Sequence, residues 1–289
     1  MDETMPIPVG ARALGLAQND PLRGPVALTT LAKLFSLPHD ADGAGVATVV
    51  DGSSLLSRVK IGTGVSSVSG LASVVGTPKG RTAVVQLGVR RELRPQTADQ
   101  TANLGPFRAR TFAAAVVGGP QDPDEAAAAR DRLLATLPDS LRRCLVGKSE
   151  GEAFFLAVLA HLHRQGTLDR PDNGPWLVDA VRAVDDNLTW PRQVTITNGT
   201  DVLHVARGMS SAVVVVSGLA DSVADSVSPL LADSSTARER NRRYHGTFCV
   251  GGLDEALDAS TPVPAGCTLR VLPDQGAVLV GREPQPRFL

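Results

Sequence analysis

The stretch 111–125, "TFAAAVVGGPQDPDE", joins an apolar run, a turn and a helix start. Small apolar residues stop at two glycines, so the pattern predicts a core strand that ends in a turn. The Asp-Pro-Asp-Glu sequence that follows is typical of a helix start, with acidic side chains near the positive end of the helix dipole. The alanines and valines leave the strand almost no polar side chain that could take part in chemistry.

Working outward from this stretch, strands are predicted on both sides of a helical middle segment. Valine- and leucine-rich runs that end in turn residues predict upstream strands at 13–17, 45–50, 55–61, 82–89 and 111–117. Start signals and apolar faces predict helices at 122–137, 150–166 and 175–187. Strands return at 193–199, 201–208, 211–218, 247–252, 267–272 and 276–281.

The order of these elements indicates the fold class. Strands, then helices, then strands do not form a strict βαβ alternation, so the order favours an α+β fold with two mostly antiparallel sheets and helices packed outside. Turn sequences at 198–201 and 273–276 predict hairpins. The polar segment 220–246 is expected to be a loop around a short helix.

Composition excludes several classes of protein. The chain has 289 residues with a formal net charge of −1, so nothing indicates a nucleic-acid or membrane-surface partner. Aromatic residues make up only 3%, which leaves the core to Val, Leu and Ala. Cys144, Cys249 and Cys267 are few and far apart, which favours a reduced, cytoplasmic protein. No signal peptide or membrane span is predicted.

Three local motifs favour ordinary structural roles. The Gly- and Ser-rich run 61–70 lacks the lysine of a phosphate-binding loop and favours a flexible loop. His161 and His163 are two apart on a predicted helix, whereas helical zinc pairs are four apart. The basic cluster 238–245 could hold an anionic partner, but a solvated loop is the simpler interpretation. No metal or cofactor is expected.

A set of fragments in order is more informative than any single motif. The fragments are "ARALGLA" (11–17), "LPHDADGAGVA" (37–47), "VVQLGVRREL" (84–93), "NLGPFRARTFAAAVVGG" (103–119) and "KSEGEAFFLAVL" (148–159). This series resembles the class II glutamine amidotransferases, whose glutaminase domain has the N-terminal-nucleophile hydrolase fold. The resemblance implies a four-layer αββα sandwich, here a single domain over 11–289 preceded by an N-terminal extension, 1–10.

The resemblance also implies where catalytic groups would lie, and most of those groups are absent. The family begins with a cysteine that attacks the glutamine amide; the matching residue here is Ala11. The family's His-Asn-Gly, which forms the oxyanion hole, corresponds to Val116, Val117 and Gly118, so only the backbone donor at Gly118 is kept. A methyl group cannot act as a nucleophile, so ordinary glutaminase activity is not expected.

Substrate-binding positions are better preserved. The arginine that binds the substrate α-carboxylate corresponds to Arg90, and the aspartate that holds the α-amino group corresponds to Glu150 in the sequence 149–152. Positions that build the fold are kept at Asp42, Gly43, Gly45, Pro106 and Phe107. Arg90, Glu150 and Gly118 are therefore the candidate ligand-binding residues.

Three functions are compatible with this pattern. The first is an inactive subunit that scaffolds or regulates a partner, either a synthase subunit, as in an amidotransferase or glutamate-synthase-type complex, or a catalytic paralogue. The second is a sensor that binds glutamine or glutamate through Arg90 and Glu150. The third is an active amidotransferase or amidohydrolase with another nucleophile, drawn from Thr4, Cys144, Cys249 and Cys267.

Overall fold

The computed structural model describes most of the chain: residues 12–34, 43–60, 80–87, 105–120, 122–222, 235–251, 260–264, 266–273 and 276–282. Six α-helices lie within these ranges: α1 (Gly24–Leu34), α2 (Pro123–Ala135), α3 (Asp139–Arg142), α4 (Glu150–Arg164), α5 (Gly174–Asp185) and α6 (Ser235–Arg242). Asp122 caps α2, since its side chain accepts hydrogen bonds from the N–H groups of Asp124 and Glu125.

In the described ranges, the first sheet, sheet A, has seven strands that pair antiparallel. They are β1 (Arg12–Gln18), β2 (Gly43–Val50), β3 (Ser53–Lys60), β4 (Thr82–Leu87), β9 (Ser211–Ser217), β10 (His245–Gly251) and β11 (Ser260–Val263). Their spatial order is β11-β9-β10-β1-β4-β2-β3. Strand β1, the first strand of the described residues, therefore lies in the middle of its sheet.

The second sheet, sheet B, has six strands among the residues that the structure describes and is also antiparallel. They are β5 (Phe107–Ala109), β6 (Phe112–Gly118), β7 (Arg192–Thr197), β8 (Val202–Arg207), β12 (Cys267–Leu272) and β13 (Gly276–Arg282), in the spatial order β13-β12-β8-β7-β6-β5. The stretch 111–125 thus contains β6 and the start of α2.

The two sheets pack face to face, and helices cover both outer faces. Small residues fill the inner layer around β1, β4 and β6, with Ala13, Val84 and Val117 in one cluster. The inner faces also meet through the hydroxyl groups of Thr82 and Thr197, which lie 2.7 Å apart. Helices α2, α4 and α5 cover the outer face of sheet B, and α1 covers the outer face of sheet A. The architecture is a four-layer αββα sandwich.

The strand–helix–strand order and the α+β class expected from the sequence are confirmed. The β7–β8 hairpin lies at the predicted turn 198–201, and β12 pairs antiparallel with β13 across 273–276. The segment 220–246 contains α6, as expected for a short helix. Helix α1 and the short elements β5, α3 and β11 were not predicted. The Gly- and Ser-rich run 61–70 lies outside the described residues.

Candidate functional site

The end of β6 places its two valines on opposite faces of sheet B. Val117 points between the sheets, where Ala13, Ala47 and Val84 surround it, and only 4% of it is exposed. Val116 points to the helical side, and a Cβ on Gly151 of α4 would lie 3.2 Å from the Cβ of Val116. The two positions that the class II resemblance aligns with a His and an Asn are therefore apolar and packed.

Gly118 and Gly119 form the turn that leaves β6. Their φ angles are +97° and +129°, a region that favours glycine. A Cβ on Gly118 would lie 2.3 Å from the carbonyl oxygen of Pro191, so the close approach of the backbones also requires glycine. The N–H of Gly119 donates to that oxygen at 3.2 Å. Because successive N–H groups of a strand alternate in direction, the Gly118 N–H points to the opposite edge of β6, away from β7.

Gln86 of β4 holds that same edge of β6. The pairing of β6 with β5 covers Phe112 to Ala114. At the next position along the edge, the N–H of Val116 donates to Oε1 of Gln86 at 3.1 Å, so a side chain from sheet A takes the place of a strand partner. A Cβ on Gly105 would lie 1.7 Å from that oxygen, so glycine there makes room for the amide.

Helix α4 brings Glu150 to this turn. The Ser149 side chain caps the helix by accepting from the N–H of Gly151 at 3.1 Å. Glu150 follows as the first helical residue, and a Cβ on Gly119 would lie 2.8 Å from its Oε1. The half-buried carboxylate of Glu150 therefore lies directly against the glycine turn, beside Gly118.

Glu152 fixes the loop that leads into α4. Its carboxylate is buried and accepts from the N–H groups of Val146 at 3.0 Å and Gly147 at 2.7 Å. Burial raises the pKa of Glu152, while the backbone hydrogen bonds and the positive charge of Arg58 oppose that shift. Burial also lowers the pKa of Arg58 to about 10. The guanidinium of Arg58 donates to the carbonyl of Pro106 at 2.7 Å.

Strand β1 approaches the site from sheet A. The N–H of Ala13 donates to Oε1 of Gln193 at 3.3 Å, across the space between the sheets. Gln193 is the cross-strand partner of Val117. Ala11, Arg90, Asp42 and Thr4 lie outside the described residues, so the structure brings together Gly118 and Glu150 but does not test their relation to Arg90.

Gln86 and Gln193 are not among the site residues that the sequence predicts. Both contacts join residues far apart in the chain, Gln86 to Val116 and Gln193 to Ala13. A local signal did exist, because each glutamine interrupts an otherwise apolar or Thr-rich strand. The partner of each amide depends on how the two sheets stack, and strand periodicity does not contain that information.

The three cysteines are poorly suited to act as nucleophiles. Cys249 and Cys267 are buried between the sheets, and burial raises the pKa of Cys249 to about 12. A thiol with a raised pKa has little of the thiolate form that reacts. Cys144 is half-buried beyond α3, where its sulfur lies 3.6 Å from the carbonyl of Ser140.

The basic cluster 238–245 is partly neutralised. Arg240 donates to both carboxylate oxygens of Asp20. Arg243, which directly follows α6, pairs with Glu239 of α6. A surface cavity of about 950 Å³ lies beside these pairs, after the end of β1 and not at the start of β1 where the candidate site lies. Within the ranges that the structure describes, no three His, Cys, Asp or Glu side chains cluster as metal ligands would.

Comparison with solved structures supports the fold. A glutamine aminotransferase class-II domain protein from Silicibacter pomeroyi superposes with a TM-score of 0.54, covering 94% of this chain and 100% of that protein at 14% identity. Glutamine phosphoribosylpyrophosphate amidotransferase from B. subtilis, complexed with ADP and GMP, gives a TM-score of 0.50 at 14% identity. The structure described as the allosteric regulatory enzyme of purine biosynthesis gives 0.53 at 14% identity.

The coverage of these structures is unequal. This chain aligns over 93% of its length with each of the last two but spans only 48% of either of them. No family model matches the sequence, and a search of curated proteins finds no match. At this level of identity the similarity shows the fold alone. The fold is that of the class II glutamine amidotransferase domain, the N-terminal-nucleophile hydrolase type.

Among the described residues, no helix has the length and apolar character needed to cross a membrane.

Proposed function

We propose that this chain is a catalytically inactive glutaminase-like subunit that scaffolds or regulates a partner enzyme. The observation that carries the proposal is the environment of Val117. Its side chain lies between the sheets among Ala13, Ala47 and Val84, where the class II resemblance expects an amide that stabilises the oxyanion. Loss of one such donor typically lowers the rate about 100- to 1000-fold.

The position of the nucleophile supports the same proposal. The resemblance aligns Ala11 with the attacking cysteine, two residues before Ala13. An alanine side chain offers no atom that can form a bond to the substrate carbonyl. A missing nucleophile and a missing oxyanion donor affect different parts of one reaction, so restoring either group alone should leave the chain inactive.

Glutamine hydrolysis by the pure protein tests the absence of activity. Glutamate release is measured with an active class II glutaminase assayed in parallel, and we expect no release above the buffer blank. A turnover near 1 per second, within the usual range of enzymes, that persists after a second purification step would refute the proposal. Ala11→Asp provides a matched blank, because it also lacks a thiol and should give the same rate as wild type.

The partner is tested separately. The tagged full chain is recovered from native extract, and co-purifying proteins are identified by mass spectrometry. We expect a synthase subunit or a catalytic paralogue in a stoichiometric amount that survives moderate salt. Recovery of the chain alone, with the same sedimentation as the purified protein, would contradict a scaffolding role even if the protein lacks glutaminase activity.

A second function, binding of glutamine or glutamate, is supported by Glu150. Its carboxylate lies against Gly119, next to the partly exposed backbone of Gly118. A carboxylate beside a partly exposed glycine turn can hold an α-amino group by a charge-assisted hydrogen bond. Arg90, which the resemblance assigns to the α-carboxylate, would supply the opposite charge.

Calorimetry distinguishes this ligand-binding function from simple scaffolding. Titration with glutamine should give measurable heat for wild type and little heat for Arg90→Ala or Glu150→Gln. Glu125→Gln is the matched control, since Glu125 is an exposed carboxylate in the first turn of α2 and the resemblance assigns it no ligand contact. Absence of heat with wild type at millimolar glutamine and glutamate would exclude the sensor.

A further inference from the structure

Two buried polar atoms between the sheets have no hydrogen-bond partner among the described residues. They are Nε2 of Gln193 on β7 and Nε2 of His204 on β8, and both residues are 0% exposed. An unpaired buried polar group is costly, and most such groups in proteins are satisfied by protein atoms or by ordered water. Two of them in one region therefore require an explanation.

The two side chains are neighbours on the inner face of sheet B. In the β7–β8 ladder, Thr195 pairs with His204 and Gln193 pairs with Ala206, so Gln193 and His204 are diagonal neighbours. The contact of Gln193 with Ala13 shows that its side chain points towards sheet A. His204 lies two residues after Val202 on β8, so both side chains are on the same face, and Val202 packs with the inner residue Cys249. The Cα atoms of diagonal neighbours on two strands lie about 7–8 Å apart, so one bridging molecule can reach both side chains.

Each side chain is held by its other polar atom. Oε1 of Gln193 accepts from Ala13 at 3.3 Å, and Nδ1 of His204 lies 2.9 Å from Oγ1 of Thr195. Neither group can turn its free nitrogen towards the other without giving up the bond that it already makes. A direct hydrogen bond between the two side chains is thus disfavoured.

The free atoms suit a ligand that can both donate and accept. The Gln193 amide nitrogen only donates. Burial lowers the pKa of His204 to about 4, so its ring is neutral near pH 7 and has one donor and one acceptor nitrogen. Water satisfies both groups in either tautomer of the ring. Glycines of sheet A lie opposite these side chains: a Cβ on Gly251 would meet the Gln193 amide, and a Cβ on Gly15 would meet Val202 and Thr195.

We propose that one water molecule is bound between the sheets and bridges Nε2 of Gln193 to Nε2 of His204. This site is independent of the proposed function, because it concerns how the two sheets are joined. Through Gln193 and its bond to Ala13, the water links β8 to the start of β1. A buried water of this kind makes about three hydrogen bonds, and the two nitrogens supply two of them.

A crystal structure of the full chain at a resolution that shows ordered water tests the proposal directly. We expect a density peak within hydrogen-bond distance of both Nε2 atoms, and a water-to-protein nuclear Overhauser effect at the His204 ring in solution. An empty site, or a direct contact between the amide and the ring, would overturn it.

A double-mutant cycle provides a second measurement. Gln193→Met should reduce the folding equilibrium constant in wild type. In the His204→Leu background the fold-reduction should be about ten times smaller, because the shared water is already lost. Tyr244→Phe is the control background, since the Tyr244 hydroxyl donates to Gln18 and belongs to the outer core of sheet A. Equal effects of Gln193→Met in all three backgrounds would contradict the bridge.

Discussion

Val117 illustrates how the face of a strand determines what a side chain can do. Its neighbours on β6 alternate between the helical layer and the space between the sheets, and position 117 falls on the inner face with Ala113 and Ala115. An amide there could be directed towards the start of β1. A valine instead extends an apolar surface, so a valine and an amide at this position differ in both chemistry and packing.

Val117→Asn should not produce glutaminase activity, because Ala11 still lacks a nucleophile. It should lower the free energy of unfolding by about 1–3 kcal/mol, since the new amide is buried among alanines. Chemical denaturation measures the change. Val215→Asn is the control, because it is the same substitution on a strand but at a residue that is 53% exposed, where a change within about 0.5 kcal/mol is usual. Equal losses in both variants would mean that burial is not the cause.

His204 should make stability depend on pH in acid. Its pKa is lowered by burial from 6.5 to about 4. The free energy of unfolding is therefore at its full value above pH 6.5 and decreases as the pH falls from 6.5 to about 4. Within that window the stability of wild type relative to His204→Leu should fall by about 1.4 kcal/mol per pH unit. Denaturant titrations of both proteins between pH 4 and 8 test this. A constant difference across the range would show that the ring does not stay neutral.

At the scale of elements, the turn that ends β6 depends on Gly118. Gly118→Ala should destabilise by about 2–4 kcal/mol, because the new Cβ meets the Pro191 carbonyl at 2.3 Å and the φ of +97° is unfavourable. Gly52→Ala is the matched control: its φ is +73°, but a Cβ there meets nothing within 4 Å. The control should cost only about 1 kcal/mol.

Urea denaturation of the two glycine variants separates the two causes. If backbone contact dominates, Gly118→Ala lowers the midpoint clearly more than Gly52→Ala, with unchanged slopes. Similar midpoints would show that the positive φ alone explains the requirement. The turn would then tolerate a shift of Pro191, and the position of the Gly118 N–H would be less strictly set.

The sequence predicts elements whose signals are local. Asp122 and Pro123 mark the start of α2, and the turn at 198–201 marks the β7–β8 hairpin. Helix α1 was not predicted because its residues include Pro25 and two threonines, which are poor helix formers. Its stability comes from packing on sheet A. Strand β5 has only three residues, too few for an alternating pattern.

The candidate site is less predictable than the elements. The match of Glu150 to a ligand-binding position came from the resemblance, and its contact with Gly119 depends on where α4 docks on sheet B. The Gln86 contact with Val116 depends on the register of two different sheets. Pairing of this kind is long-range, and one sequence offers no signal for it.

At the scale of the whole molecule, the distance between the sheets is set by small residues. A Cβ on Gly15 would lie 2.5 Å from Cγ1 of Val202 and 2.7 Å from Cγ2 of Thr195. Gly15→Ala should therefore destabilise by about 1–3 kcal/mol through overpacking. Val202→Ala alone should also destabilise, through a cavity.

Combining the two substitutions tests whether the sheets really meet at this point. Gly15→Ala with Val202→Ala should be more stable than the sum of the single effects, since the new methyl group fills space that the valine vacates. Thermal or denaturant unfolding of the four proteins closes the cycle. Strict additivity would show that the sheets adjust independently and that Gly15 is not a spacing residue.

Strand β1 has neighbours on both sides that come from distant parts of the chain. Leu14 pairs with Val250 of β10 on one side and with Val85 of β4 on the other. During synthesis, the β1–β10 pairing therefore cannot form until residues near 250 have left the ribosome. Until then the edge of β1 that pairs with β10 has no strand partner. Contacts of such long sequence separation slow folding. Among the described strands, removal of β1 would divide sheet A into two three-stranded parts. Strand β1 therefore connects β2, β3 and β4, which precede the helical middle segment, with β9, β10 and β11, which follow it.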